Sequence, residues 1–293
     1  MNIPEAINDI LARYGLGGHS KIPVVAVLRL NGVIGGGVVN RQGLTLAALE
    51  PSIKKAFSKR VRAVCLLINS PGGSPVQSAQ ITAYIRHLSQ EKKVPVFAFT
   101  EDIAASGGYW LSLAADEIYA DPMSIVGSIG VISASFGFQG LIERLGIERR
   151  VYAQGDRKSL LDPFKPEDPD DVKRLIDIQA DIHRQFVDAV RKWRGDRLAG
   201  TDDILFNGDV WTGERALELG LVDGLGDMRT IMRRMYGSDV RFLIIRRPSS
   251  WLARHFGRSV SFGLVGGDTV AGRWASDLIA AVEERAFWAR FGL

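Results

Sequence analysis

The sequence predicts an α/β domain built on a mainly parallel sheet, and three observations lead to that prediction. Short apolar runs rich in β-branched residues alternate with segments of helical periodicity through the first half of the chain. Glycine clusters follow several of these runs directly, where open α/β sheets place their binding turns. The 293 residues are 46% hydrophobic, which is enough apolar material for a large core and excludes a mainly disordered chain.

Each element is assigned from its apolar pattern and from the residues that bound it. Strands are predicted where a short apolar run ends at glycine, proline or a polar turn, at 22–30, 62–68, 94–99, 117–120, 125–132 and 148–153. Helices are predicted where apolar residues recur every three or four positions, at 47–58, 75–90, 106–115, 136–145, 170–193, 212–219, 227–236 and 270–291. The helix at 170–193 is the longest, and we expect it to pack outside the sheet or on a partner subunit.

Composition and charge exclude several classes of protein. Lys and Arg exceed Asp and Glu by only four charges, which is too thin a surplus to predict a nucleic-acid partner. The single cysteine, Cys65, cannot form an intrachain disulfide and is predicted to be a small core residue of a buried strand. No glycine cluster matches a nucleotide-binding signature, and we expect no cofactor and no metal.

No targeting or membrane-spanning segment is visible in the sequence. Residues 1–20 lack the basic and apolar regions of a secretory signal. The longest uncharged window, 122–142, is too rich in Ser, Gly, Pro and Gln to span a bilayer. We therefore expect a soluble, cytoplasmic protein in a reducing compartment.

One glycine cluster lies in the turn Asn-Ser-Pro-Gly-Gly-Ser at 69–74, between a predicted strand and a predicted helix. Such a turn leaves backbone N–H groups unpaired, and the lack of side chains at Gly72 and Gly73 lets a substrate approach them closely. The turn is therefore suited to holding an oxyanion. The alternative is an ordinary tight turn from strand to helix.

A second turn, Ala-Ala-Ser-Gly-Gly-Tyr at 104–109, repeats this layout one βα unit later. Ser106 would be a nucleophile with the N–H of Gly107 beside it, although a helix N-cap is the alternative role for this serine. The four histidines all lie outside the glycine turns, which disfavours a Ser-His-Asp triad. Lys158, which follows a predicted strand and a glycine turn, is the alternative base, and Ser128 is a candidate hydroxyl partner for it.

Lys158 could act as a base near neutral pH only if its pKa fell by roughly 3 units from about 10.4. Burial beside apolar side chains, with a hydroxyl rather than a carboxylate as partner, would produce that shift.

Together these segments resemble the signal peptide peptidase A (SppA) family of serine peptidases in its short form. The matching stretches lie at 64–74, 104–121, 127–132 and 155–163. The resemblance implies a Clp protease/crotonase-like fold, with repeated β-β-α units, a mainly parallel sheet and a long helix packed outside it. It also implies a homo-oligomeric ring in which the lysine can reach the serine from a neighbouring subunit.

By this resemblance Ser106 is the nucleophile, Lys158 is the general base and Ser128 orients the lysine. The backbone N–H groups of Gly72, Gly73 and Gly107 match the oxyanion hole. The implied activity is that of a serine endopeptidase that hydrolyses peptides or unfolded segments, including signal-peptide remnants. The sequence leaves two alternatives, a crotonase-like acyl-coenzyme A enzyme and a non-catalytic ring scaffold.

Three regions are predicted along the chain. They are an N-terminal helical extension at 1–20, the peptidase domain at 21–245 and a basic, aromatic C-terminal extension at 246–293. For the C-terminal extension the pattern favours packing or a subunit contact over a peripheral membrane contact. The membrane anchor usual in the family is not visible near the N-terminus.

Overall fold

The computed structural model describes residues 22–35, 43–58, 60–155, 157–246 and 288–292. The strands within them are β1 (Val24–Asn31), β2 (Ala63–Ser70), β3 (Val96–Ala105), β4 (Glu117–Ala120), β5 (Ile125–Gly127), β6 (Val210–Thr212), β7 (Gly224–Leu225) and β8 (Arg241–Ile245). They form one sheet in the order β6-β5-β3-β2-β1-β8, and β4 pairs with both β3 and β7. Only the β5–β6 pair is antiparallel among these strand pairs. The predicted fold class is therefore confirmed.

Helices connect the strands and cover both faces of the sheet. They are α1 (Leu46–Ala56), α2 (Pro75–Lys92), α3 (Gly107–Ser112), α4 (Gln139–Arg144), α5 (Pro169–Arg194), α6 (Asp202–Leu205), α7 (Gly213–Glu218) and α8 (Met228–Tyr236). A short 3₁₀ turn, Gly195–Arg197, follows α5. Ser74 and Asp227 begin α2 and α8, and their side chains accept hydrogen bonds from backbone N–H groups of the first turn, as N-cap residues do.

The sheet separates two apolar cores. The larger core packs α1, α2, α3 and α5 against one face, with Trp110 of α3 stacked on Phe186 of α5 at a centroid distance of 4.6 Å. The smaller core packs α8 against the other face and includes Leu67, Phe99 and Met228. Because β2 is buried along nearly its whole length, its sequence is a continuous apolar run, as expected for a central parallel strand.

Several predicted elements differ from the structure. The strand predicted at 148–153 is wrong, because this segment has no regular structure and Tyr152 in it is 91% exposed. The strand predicted at 125–132 ends at Gly127, where positive φ angles at Gly127 and Ser128 turn the chain. The predicted extensions at 1–20 and, except for 246 and 288–292, at 246–293 lie outside the described residues.

A buried ion pair ties α5 to the sheet. The Arg194 side chain is 2% exposed and donates two hydrogen bonds to the Asp223 carboxylate, at 2.7 and 3.0 Å. Asp223 also accepts the N–H of Ile118 in β4. Burial by itself raises the pKa of Asp223, but the hydrogen bond and charge of Arg194 more than offset this, so the pKa is lowered. The pair therefore stabilises the folded state while Asp223 is ionised.

We expect Asp223→Ala to lower the free energy of unfolding by about 3–5 kcal/mol, because it leaves the Arg194 charge buried without a partner. Chemical denaturation at neutral pH measures this loss. Asp181→Ala is the control, since Asp181 and its partner Arg184 are both mostly exposed and such pairs contribute about 0–1 kcal/mol. Equal losses in the two variants would contradict the account of the buried pair.

The contribution of Asp223 to the free energy of unfolding is also expected to depend on pH. Because its pKa is lowered in the folded state, the stabilisation is fully present above the unfolded pKa of about 3.9 and is lost as pH falls through the folded pKa. The difference in unfolding free energy between wild type and Asp223→Ala should therefore narrow below about pH 4. A difference that stays constant down to pH 3 would count against the assignment.

Candidate active site

Ser106 lies between the end of β3 and the first residue of α3, in a conformation that few residues adopt. Its φ of +52° and ψ of −122° lie outside the regions favoured by L-residues. Its N–H donates to the Gly127 carbonyl at 2.8 Å. The side chain makes no capping hydrogen bond to α3, so the alternative prediction of an N-cap hydroxyl is wrong. The half-buried hydroxyl is held at the end of the sheet without a structural role in the helix.

The glycine turn at 72–73 is fixed by its pairing with Ile34. The Ile34 N–H donates to Gly72 O and the Ser74 N–H donates to Ile34 O, both at 2.8 Å. This is a parallel bridge between Ile34 and Gly73. In such a bridge the N–H of the middle residue points away from its partner, so the Gly73 N–H points away from Ile34.

Gly73 and Gly107 are close neighbours beside Ser106. A Cβ on Gly107 would lie 3.4 Å from the Gly73 nitrogen, and a Cβ on Gly72 would lie 2.8 Å from Ser106 Cβ and 3.1 Å from the Gly107 nitrogen. The described part of the chain offers no hydrogen-bond acceptor to the N–H of Gly73 or of Gly107. Two unpaired donors therefore lie next to the serine, as stabilisation of an oxyanion requires.

The N–H of Gly72 has a different role. It donates to the Ser70 hydroxyl at 3.3 Å. Of the two glycines in the turn, Gly73 therefore has the free donor, while Gly72 supplies the space that lets the turn lie against Ser106. The sequence predicted the turn as a unit and could not distinguish these two roles.

Close packing under α3 holds the two turns together. A Cβ on Gly107 would lie 2.5 Å from Ser78 Oγ, and a Cβ on Gly108 would lie 2.3 Å from Ser70 O. Ser78 is fully buried, and its hydroxyl donates to the Ser74 carbonyl at 2.9 Å. Small residues on α2 and α3 thus allow the backbone of one turn to approach the backbone of the other.

Ser128 lies in the turn that receives the Ser106 N–H. Its own φ is +52°, its N–H donates to Asp209 O at 2.6 Å, and its side chain is half-buried. His183 of α5 lies against the same turn, with Nε2 3.2 Å from Ile129 O. The sequence alone does not predict the contributions of Asp209 and His183, because their contact with this turn depends on pairing between distant segments.

Lys158 is not brought to Ser106 within the single chain. It lies in an exposed turn, where its N–H donates to Gly155 O at 3.1 Å. In the described residues its side chain makes no hydrogen bond or ion pair with Ser106 or Ser128. The Lys158 side chain is therefore exposed to solvent in one copy of the chain.

The segment that carries Lys158 is unusually apolar for an exposed one. Side chains more than half exposed between 131 and 165 include Ile132, Phe136, Leu141, Leu145, Ile147 and Tyr152. A concentration of exposed large apolar side chains in one segment is typical of an interaction surface.

Within the described ranges, no three His, Cys, Asp or Glu side chains are grouped so that they could hold a metal ion. Cys65 is buried in β2, and burial raises the pKa of its thiol, which agrees with a structural role. No helix among the described residues is long and apolar enough to cross a membrane.

The chain is similar in sequence to proteins with different names. A protein of Brucella abortus named Na(+)/H(+) antiporter NhaA is 46% identical over 99% of this chain, but the chain spans only 39% of its length. The Arabidopsis thaliana protein named Serine protease SPPA, chloroplastic, is 31% identical over 70% of this chain and 31% of its own length.

A solved structure was also matched. It is a lysine-to-alanine mutant of the 1510-N membrane-bound stomatin-specific protease with a substrate peptide, with 15% identity, a TM-score of 0.49 and coverage of 79% of this chain and 95% of that one. Residues 88–239, just over half of the chain, match the model of Peptidase family S49. The chain therefore belongs to peptidase family S49.

Proposed function

We propose that the protein is a serine endopeptidase that hydrolyses peptides or unfolded segments, signal-peptide remnants among them, through an acyl-enzyme on Ser106. One observation carries the proposal. A serine with a positive φ lies beside two backbone N–H groups, and within the described residues its hydroxyl caps no helix and those N–H groups have no acceptor. Membership of a peptidase family supports the same chemistry. The relative named as an Na(+)/H(+) antiporter is a longer protein, and this chain matches only 39% of its length.

In the proposed reaction, Ser106 Oγ attacks a peptide carbonyl as its proton passes to a neutral lysine. The carbonyl oxygen becomes an oxyanion that accepts hydrogen bonds from the N–H groups of Gly73 and Gly107. The C–N bond then breaks, and the leaving amine takes the proton from the lysine. Water, deprotonated by the same lysine, then attacks the ester carbonyl. The C–Oγ bond breaks as the lysine returns the proton to Ser106 Oγ, which releases the carboxylic acid and restores the serine.

The base in this proposal is Lys158 of a neighbouring copy. Lys158 is exposed within its own chain and lies in the segment of exposed apolar side chains at 131–165. Burial of that segment between copies in a ring would take Lys158 out of bulk water and surround it with apolar side chains. Ser128, which lies in the turn that holds the Ser106 N–H, would then be placed to accept a hydrogen bond from the lysine. Assembly would thus be a condition of activity.

Purified protein incubated with unstructured peptides tests the base assignment. Lys158→Ala is expected to lower cleavage by about 10²–10⁴-fold, the usual contribution of a general base. Lys165→Ala is the matched control, because Lys165 is also exposed in the same segment, and it should retain activity. Equal activity of Lys158→Ala and wild type would contradict the assignment.

A mixing experiment tests whether Lys158 acts across an interface. Ser106→Ala and Lys158→Ala subunits, each inactive alone, are dissociated, combined in equal amounts and reassembled. If the lysine comes from the neighbour, roughly a quarter of the sites pair an intact serine with an intact lysine, and activity returns to that level. No recovery in assembled mixtures would place the base within the same subunit.

A further inference from the structure

A cavity of about 580 Å³ opens on the face of the sheet opposite α3. Its floor is formed by Leu67 of β2, Phe99 of β3 and Met228 of α8, all members of the smaller core. Ser106 begins α3, which packs in the larger core on the other face. The sheet therefore separates this cavity, here called the rear groove, from the proposed catalytic serine.

The walls of the rear groove expose apolar side chains to water. Met123, in the loop between β4 and β5, is 83% exposed, and Ile244 of β8 is 46% exposed. In the described residues β8 pairs only with β1 and so forms an edge of the sheet. An exposed strand edge beside an apolar groove is a surface on which extended peptides bind.

The charge of the rear groove is opposite in sign to that of the whole chain. Its charged lining residues are Glu101, Asp102, Asp121, Asp227, Arg29 and Arg229. Four acidic and two basic groups leave a formal charge of −2 there, whereas the chain as a whole carries +4. A ligand drawn to this groove by its charge must be cationic.

Two of these carboxylates, those of Asp102 and Asp121, neither pair with a basic side chain among the described residues nor cap a helix. Glu101 is paired with Arg29 at 2.8 Å, and Asp227 caps α8. Asp102 accepts a hydrogen bond from the Asn69 side chain at 2.7 Å, which orients the carboxylate but leaves its charge uncompensated. Asp121 accepts the N–H of Met123, and its side chain is likewise free of basic groups.

We propose that the rear groove is a docking site for a short segment of another polypeptide that carries an apolar side chain next to a lysine or arginine. The apolar side chain contacts Met123 and Ile244 above the floor of the groove, and the cationic group pairs with Asp102 or Asp121. Docking therefore buries the exposed apolar surface and also neutralises the charge of a carboxylate that has no other basic partner in the described residues. Because the sheet separates the groove from Ser106, a bound partner leaves the proposed active site open.

Binding of peptides to the full-length Ser106→Ala protein tests this proposal independently of peptide hydrolysis. A degenerate array of short peptides is screened, and the strongest binder is labelled and titrated by fluorescence anisotropy. We expect strong binders to combine Lys or Arg with a large apolar residue. Met123→Lys should weaken binding at least 10-fold, and Asp121→Asn, which retains the acceptor for the Met123 N–H, should weaken it several-fold.

Met235→Lys is the matched control, since Met235 is an exposed methionine of α8 outside the groove lining, and it should bind the peptide as the parent protein does. The proposal is overturned if no peptide of this composition binds, or if Met123→Lys and Met235→Lys bind it equally well. Strong binding of apolar peptides without a basic residue would also overturn it.

Cross-linking in the full chain shows which polypeptide occupies the rear groove: a separate peptide, another part of the same chain or a second copy. Met123→Cys adds an accessible thiol to a chain whose one natural cysteine, Cys65, is buried. A benzophenone attached there should cross-link the bound peptide and be protected by unlabelled peptide. Cross-links that go instead to residues 247–287 of the same chain or to a second copy, whether or not peptide is present, would overturn the proposal.

Discussion

Ser106→Ala is expected to lower peptide hydrolysis by about 10⁴-fold or more, because loss of a catalytic serine removes the covalent step and leaves only binding and oxyanion stabilisation. The loss should fall on kcat, since the hydroxyl contributes to bond formation in the transition state and little to substrate binding. The measurement is steady-state cleavage of an unstructured fluorogenic peptide.

Ser112→Ala is the matched control for this variant. Ser112 lies on the same helix and is buried, but its hydroxyl donates to the Tyr109 carbonyl and does not face the glycine turns. We expect it to retain peptide hydrolysis with a small loss of stability. A Ser106→Ala protein as active as wild type would contradict the proposed function and favour an acyl-coenzyme A enzyme or a non-catalytic scaffold.

Gly73→Ala is expected to lower kcat by about 10²–10³-fold, the effect of losing one oxyanion donor. A Cβ at Gly73 would lie 2.1 Å from Ile34 O and 2.8 Å from Ile34 N, both backbone atoms that cannot move aside locally. The turn must therefore shift and carry its N–H away from Ser106. The φ of +139° adds strain for any residue with a side chain.

Gly32→Ala is the matched control, because it adds backbone strain without pushing the oxyanion turn away from Ser106. Gly32 also has a positive φ, at +109°, but a Cβ there would meet no atom within 4 Å. We expect Gly32→Ala to cost about 1–3 kcal/mol of stability and to retain most of its activity. If both glycine variants lost kcat equally while remaining folded, the oxyanion role of Gly73 would be contradicted.

The positions of the serine and the glycine turn could be predicted because they depend on local pattern. β2 is a continuous apolar run that ends at the Asn-Ser-Pro-Gly-Gly turn, and the next strand ends just before Ser106. Adjacent parallel strands deliver the residues that follow them to the same edge of the sheet. The two turns therefore had to lie close together once the strands were recognised.

Elements that depend on distant partners could not be predicted in this way. β6 and β7 have three and two residues, and their strand character comes only from pairing with β5 and β4. β8 is the short apolar run Phe-Leu-Ile-Ile after Arg241, and it forms by pairing with β1, more than 200 residues earlier. At 148–153 the segment Glu-Arg-Arg-Val-Tyr-Ala, half charged and half apolar, has no partner strand in the described residues and remains irregular.

The environment of Lys158 is the least predictable part of the site. Its sequence context, after a glycine turn and before apolar residues, suggested burial, whereas the chain on its own leaves it exposed. Burial of a side chain on a projecting segment depends on what packs against that segment. Under the proposed assembly the missing surface belongs to a second copy of the chain, which no local pattern in one sequence describes.

Active-site labelling shows whether Ser106 is the nucleophile. The protein is treated with a fluorophosphonate, digested, and the modified residue is located by mass spectrometry. We expect one adduct per chain, on Ser106, that forms much more slowly in Gly73→Ala and in Lys158→Ala. Two results would contradict this expectation. One is an adduct on a different residue, and the other is a Ser106 that stays unmodified and can be replaced while the protein still cleaves peptides.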